Sequence, residues 1–174
     1  IKTACKEFSN EDILMISDVD ELPSKERINF IKSCDFKKIA PIVLEQYLFH
    51  IDCNFLKWEQ WLGSIVTTMQ LCNTYSPNRH RRDRNKISHF NEGGWSFSSF
   101  GGPSKIKEKF ESIAHKEFNN DKFKNINHII NCQKSGADLF YRNIESKKID
   151  KNFFPKDLLD LMNQNPKFYF GSSS

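Results

Sequence analysis

A chain of 174 residues that is 38% apolar and 28% charged is long enough to bury a core and too apolar to stay disordered. Its net charge of +4, spread along the length, is too weak on its own to argue for nucleic acid, and no apolar run approaches the ~20 residues of a membrane span. The five cysteines, Cys5, Cys34, Cys53, Cys72 and Cys132, form no C-x-x-C pair. That excludes a zinc knuckle or a thioredoxin-like motif and favours buried thiols in a reducing compartment.

Residues 1–11 are polar and expected to be helical or irregular. "DILMIS" reads as a short buried strand, stopped by the carboxylates of Asp18, Asp20 and Glu21. Pro23 and Ser24 mark the start of a helix with Ile28, Phe30 and Ile31 on its inner face. "APIVLEQYLFHIDCNF" predicts a strand in which Val43, Tyr47, Phe49 and Ile51 partly alternate with polar positions. "KWEQWLGSIVTTMQL" carries two Trp and then the β-branched run Ile65 to Thr68. "NTYSPNRHRRDRNK" reads as a polar, basic connection, and "GGWSFSSFGG" as an aromatic segment bracketed by glycine pairs.

"PSKIKEKFESIAHKEFNN" is the clearest helix, started by Pro103, with Ile106, Phe110, Ile113, Ala114 and Phe118 in one apolar stripe. A second helix is predicted from Asp121 to Ser135, ended by Gly136, and a third over "PKDLLDLMNQN". Strands first and helices later, without repeats, predict an α/β or α+β fold.

The acidic cluster carries the chemistry. A strand that ends in D-x-D puts carboxylates at the carboxyl edge of a sheet, where open α/β folds bind ligands. On an extended segment, side chains two apart face the same way, so Asp18 and Asp20 can address one point. A hard divalent cation there removes their mutual repulsion and can bridge diphosphate oxygens. Two enzyme classes use this pattern. Haloacid-dehalogenase-like phosphatases make the first Asp a nucleophile and follow it with a small residue and Thr, where this chain has Glu21, Leu22 and Pro23. The other class is the metal-dependent glycosyltransferases with a GT-A fold.

"DILMISDVDELPS", "QYLFHIDCNFLKWEQWLGS", "GGWSFSSFGG" and "KIKEKFESIAHKE" occur in that order over residues 11–118, and together they resemble glycosyltransferase family 17. That is the family of β-1,4-mannosyl-glycoprotein 4-β-N-acetylglucosaminyltransferases. The resemblance implies an α/β, GT-A-like nucleotide-diphospho-sugar transferase fold in one catalytic domain spanning 1–174, with 119–174 as a helical C-terminal part. It further implies metal-dependent, inverting transfer of N-acetylglucosamine from UDP-GlcNAc to a glycan acceptor, with Mn²⁺ or Mg²⁺ as cofactor. Asp18 and Asp20 would be metal and diphosphate ligands with Glu21 beside them; His115 and Glu117 fall in the family's helix motif, from which His115 could donate a further metal ligand. Gly94, Trp95 and Ser96 would lie at the sugar or acceptor site. Ser96 departs from the family, which has His after Gly-Trp. Only 17 residues precede Asp18, so a chain lacking its N-terminal nucleotide-binding part is expected.

Inverting transfer needs one base for the acceptor hydroxyl. Glu92, just before the Gly-Gly-Trp loop, is the first candidate; Glu117 and Glu21 are the others. In "RHRRDR", Arg79, Arg81, Arg82 and Arg84 form either a solubilising loop or a flap that clamps the diphosphate, with Arg82 and Arg84 the selected contacts. His50, His80, His89 and His128 read as structural or surface residues. The expected partners are a UDP-sugar donor and a glycan acceptor, with no nucleic acid and no membrane span in the chain. The cysteines suggest a cytoplasmic bacterial or viral relative; a eukaryotic member stripped of its anchor would face the Golgi lumen. A phosphatase and a non-catalytic basic domain that binds nucleic acid or glycan remain the alternatives.

Overall fold

The computed structural model describes residues 5, 7–112 and 119–171, which form a mixed α/β fold. Its strands are β1 (Ile13–Ile16), β2 (Glu21–Pro23), β3 (Ile42–His50), β4 (Phe55–Thr68), β5 (Ser88–Phe90), β6 (Gly94–Ser98) and β7 (Lys147–Lys148). The helices are α1 (Lys25–Ser33), α2 (Met69–Thr74), α3 (Pro77–Arg82), α4 (Pro103–Ser112), α5 (Asp121–Lys124), α6 (Ile126–Ser135), α7 (Lys156–Gln164) and α8 (Pro166–Tyr169). Hydrogen bonding orders the sheet β1-β4-β3-β6-β2, with β5 parallel to the start of β3 and β7 antiparallel to the start of β4.

The chain divides into two compact units: 1–47 with 59–96, and 48–58 with 97–174. In the first, Ile31 of α1, Phe36, Ile42 and Leu44 of β3 and Val66 of β4 make the core, with Phe90 packed on it. β3 is buried on both faces in most positions, which is why its sequence reads as a near-continuous apolar run with little alternation. Ser24 caps α1 by accepting from the Arg27 N–H, so the Pro23-Ser24 signal does mark the helix start. Ile31 is buried, whereas the Phe30 ring lies 45% exposed, edge-on to Phe90.

In the second unit, Ile106 and Phe110 of α4 pack with Ile51, Ile129, Cys132 and Leu139. α4 begins at Pro103 as predicted; Ile113, Ala114 and Phe118 lie outside the described residues. The helix predicted over 121–135 is broken into α5 and α6 at Asn125, whose side chain accepts from the His128 N–H and restarts the helix. Gly136 closes α6 at φ +74°. No disulfide joins the five cysteines.

Two expectations need correction. β1 is not a buried strand: among the described residues it pairs only with β4, antiparallel, at the end of the sheet order, and Ile13 and Met15 are 44% and 40% exposed. The basic connection is also largely helical. Ser76 accepts from the Arg79 N–H as N-cap and Pro77 takes the first turn, giving α3, followed by a 3₁₀ turn over 84–86.

Candidate active site

The turn between β1 and β2 presents the acidic cluster. It is closed by the Glu21 N–H donating to the Asp18 carbonyl at 3.1 Å, so Asp18 to Glu21 form a β-turn with Val19 fully exposed at its tip. The carboxylates of Asp18 and Asp20 therefore do not share a face by strand alternation, as an extended segment would require. The turn, rather than the pleat, sets their directions.

Glu21 holds this turn from inside. Its Oε2 accepts from the Asp18 N–H at 3.1 Å, from Ser17 Oγ at 3.2 Å and from Ser64 Oγ of β4 at 3.0 Å. Ser17 Oγ and Ser64 Oγ are themselves 2.6 Å apart, and the Gln46 amide of β3 donates to Ser64 Oγ at 3.2 Å. Two hydroxyl protons thus serve three O···O contacts, and a proton on Glu21 would complete the set. Burial pushes the Glu21 carboxyl above its ordinary value, and the negative charge of Asp18 pushes the same way. The three hydrogen bonds pull against both. Gly63 makes room for the network, since a Cβ there would overlap the Gln46 amide oxygen.

Asp18 faces outward, and both its oxygens accept from Arg81 Nη2 at 2.6 Å. Both side chains are partly exposed, 47% for Asp18 and 41% for Arg81. Arg81 comes from the last turn of α3 and is the member of the basic run that reaches the acidic turn. Arg82 instead lies 73% exposed beside Asp83, and Arg84 sits over the Trp61 ring at 5.1 Å.

The second constellation joins the first through backbone pairing. β2 and β6 run antiparallel, in register Glu21 with Ser96, Leu22 with Trp95 and Pro23 with Gly94. Gly94 adopts φ +130°, and a Cβ there would overlap the Leu22 carbonyl oxygen. Gly93 is equally confined, against Leu44 and the Glu45 backbone. These glycines are explained by close strand approach. Trp95 is buried to 9% exposure, so its ring packs within the protein rather than forming an open platform. Ser96 is buried beside Glu21's strand.

Glu92 lies on the loop into β6, at φ +51°, exposed and 3.6 Å from the Arg27 guanidinium. His115 and Glu117 lie outside the described residues. Asp18, Asp20, Glu21, Gly94, Trp95 and Ser96 are thus gathered on adjoining segments, whereas Arg82 and Arg84 turn elsewhere. Ser64 and Gln46, which carry no local signal, and Arg81, from the same run as Arg82 and Arg84, were not among the selected site residues.

Among the described residues, no helix is long and apolar enough to cross a membrane. No curated protein and no solved structure matches the chain. The sequence model of glycosyltransferase family 17 matches residues 2–169, nearly the whole length. That match removes the phosphatase reading, which rested on D-x-D alone. With both motifs paired across β2 and β6 and the family's pattern running through the chain, this protein belongs to glycosyltransferase family 17.

Proposed function

We propose that this glycosyltransferase has a GT-A-like fold and transfers N-acetylglucosamine from UDP-GlcNAc to a glycan acceptor with inversion, using the Ser17–Glu21 turn as its diphosphate site. The observation that carries this reading is the register of β2 on β6, which sets the acidic turn against Gly94-Trp95-Ser96.

Asp18 and Asp20 are the carboxylates that would hold a divalent cation, with Arg81 releasing the two Asp18 oxygens that now accept from it. Among the described residues no group of three His, Cys, Asp or Glu gathers to enclose an ion. A hard cation that takes its other ligands from diphosphate and water needs no third side chain. When bound, Mn²⁺ or Mg²⁺ supplies charge neutralisation for the departing diphosphate.

The chain's own residues do the rest. Arg81, seated on Asp18, is the cation that would meet diphosphate oxygens; a guanidinium fork suits them better than an ammonium. Glu21, committed through Oε2 to Ser17, Ser64 and the turn backbone, is a positioning residue. Glu92, exposed on the loop that leads into Gly93-Gly94, is the base for the acceptor hydroxyl.

Release of UDP from UDP-GlcNAc, followed with and without Mn²⁺ and glycan acceptor, tests the reading. Glu92→Gln should lower kcat by about 10²–10⁴-fold while donor affinity holds. An unchanged kcat would remove Glu92 from the chemistry. Failure to turn over any nucleotide sugar in the unsubstituted protein would remove the transferase assignment itself.

A further inference from the structure

The second unit holds an open cleft of ≈640 Å³, within the size range of small-molecule sites. Its walls come from the turn before β4, from α6, from β7 and the 3₁₀ turn after it, and from the segment that follows α8. None of these residues takes part in the site described above.

Three features of the cleft converge. The first is charge: Lys134, Lys148 and Lys151 line it, against the single carboxylate of Asp52. Among the described residues, Lys134 and Lys148 have no ion-pair partner. Lys151 lies with its ammonium 4.1 Å from the centre of the Phe170 ring.

The second feature is a pair of phenyl faces. Phe170 and Phe55 are both only half-buried. Phe55 stands directly across the strand pair from Lys148, and its ring packs over Gly136, where a Cβ would meet it at 2.5 Å.

The third is an acceptor and a donor that lie together beside Gly171 on the cleft wall. Gln133 Nε2 is out of solvent and lacks a hydrogen-bond partner. Asp52 is 2% exposed, with Oδ1 accepting from the Asn54 N–H. Gln133 Nε2 and Asp52 Oδ2 lie 3.4 and 3.7 Å from the position a Cβ would take on Gly171, which adopts φ +71°. A hydroxyl group, which both donates and accepts, matches that pair of side chains.

We propose that this cleft is a binding site for an anionic saccharide, a sugar bearing a phosphate or carboxylate group. Lys134 and Lys148 face the charge with Lys151, held over Phe170, beside them; the half-buried ring of Phe55 meets the apolar C–H side of the sugar, and Asp52 and Gln133 take its hydroxyls. Inorganic anions alone would leave the Phe55 ring and the Asp52–Gln133 pair unused. A neutral sugar would leave the lysines unanswered. The site does not depend on the transferase reading, and its test measures binding, not turnover.

Titration calorimetry of the full chain at low salt, with glucose 6-phosphate, glucuronate, glucose and inorganic phosphate, decides the matter. At least one charged sugar should bind ten-fold or more tightly than both glucose and inorganic phosphate, and which one does so identifies the charged group. Lys134→Glu with Lys148→Glu should weaken that binding at least ten-fold, and Gln133→Leu should weaken it measurably, while Asp18→Asn leaves it unchanged. The proposal is overturned if neither charged sugar binds, or if inorganic phosphate or glucose binds as well. It is equally overturned if the double lysine variant retains full affinity, or if Asp18→Asn abolishes it.

Discussion

At Asp18, charge and exposure make opposite demands on Arg81. Each side chain is open to water, so the ion pair contributes at most about 1 kcal/mol to stability despite its short contacts. Arg81→Ala is therefore expected to leave thermal unfolding nearly unchanged while raising KM for the nucleotide sugar; Arg81→Lys should recover only part of that loss, because an ammonium lacks the planar fork. A large fall in stability with donor KM unchanged would make the pair structural. Gly94 is the opposite case. A Cβ there overlaps the Leu22 carbonyl and must also hold φ +130°. Gly94→Ala should cost more than about 2 kcal/mol in chemical denaturation, because strain and overlap act together.

Local chemistry explains which elements were readable and which were not. Pro103, Ser24 and Gly136 act through backbone groups within a few residues of themselves, so the starts of α1 and α4 and the end of α6 could be read from the sequence. Asn125 acts just as locally, but it sits inside a run of good apolar periodicity, and the cap was hidden by the pattern around it. Asn125→Ala should destabilise by about 1 kcal/mol, seen as a lower denaturation midpoint. β1 failed for another reason: "ILMI" is apolar at every position, and periodicity cannot tell a strand buried on both faces from an edge strand. Of the candidate site, Asp18 to Glu21 and Gly94 to Ser96 were legible because each is a contiguous motif. The Ser64–Gln46 support under Glu21 was not, since it is assembled by β-pairing between distant segments.

Across the whole molecule, buried His50 and partly buried Glu21 give stability opposite dependences on pH. Burial holds the His50 imidazole neutral, bringing its pKa from 6.5 to about 3. Between those values the unfolded chain takes up a proton that the folded chain refuses. The His50 contribution is therefore complete above 6.5 and is lost as pH falls towards 3. Glu21 runs the other way: its folded pKa lies above 4.5, so its contribution is complete below that value and is lost as pH rises through the folded one. His50→Phe should flatten the decline of the unfolding midpoint between pH 7 and pH 4. Glu21→Gln should gain on the unsubstituted protein as pH rises through the folded Glu21 pKa. Denaturation curves collected at stepped pH read both slopes separately.

The Ser17–Glu21 turn is proposed as the diphosphate site of this glycosyltransferase. Thermal unfolding in the presence of UDP-GlcNAc, GDP-mannose or dTDP-glucose, each with and without Mn²⁺, tests it most directly. UDP-GlcNAc should stabilise the protein only with Mn²⁺, and in neither Asp18→Asn nor Asp20→Asn. Stabilisation that persists without Mn²⁺ or in both variants, or no stabilisation by any of the three donors, would contradict the assignment.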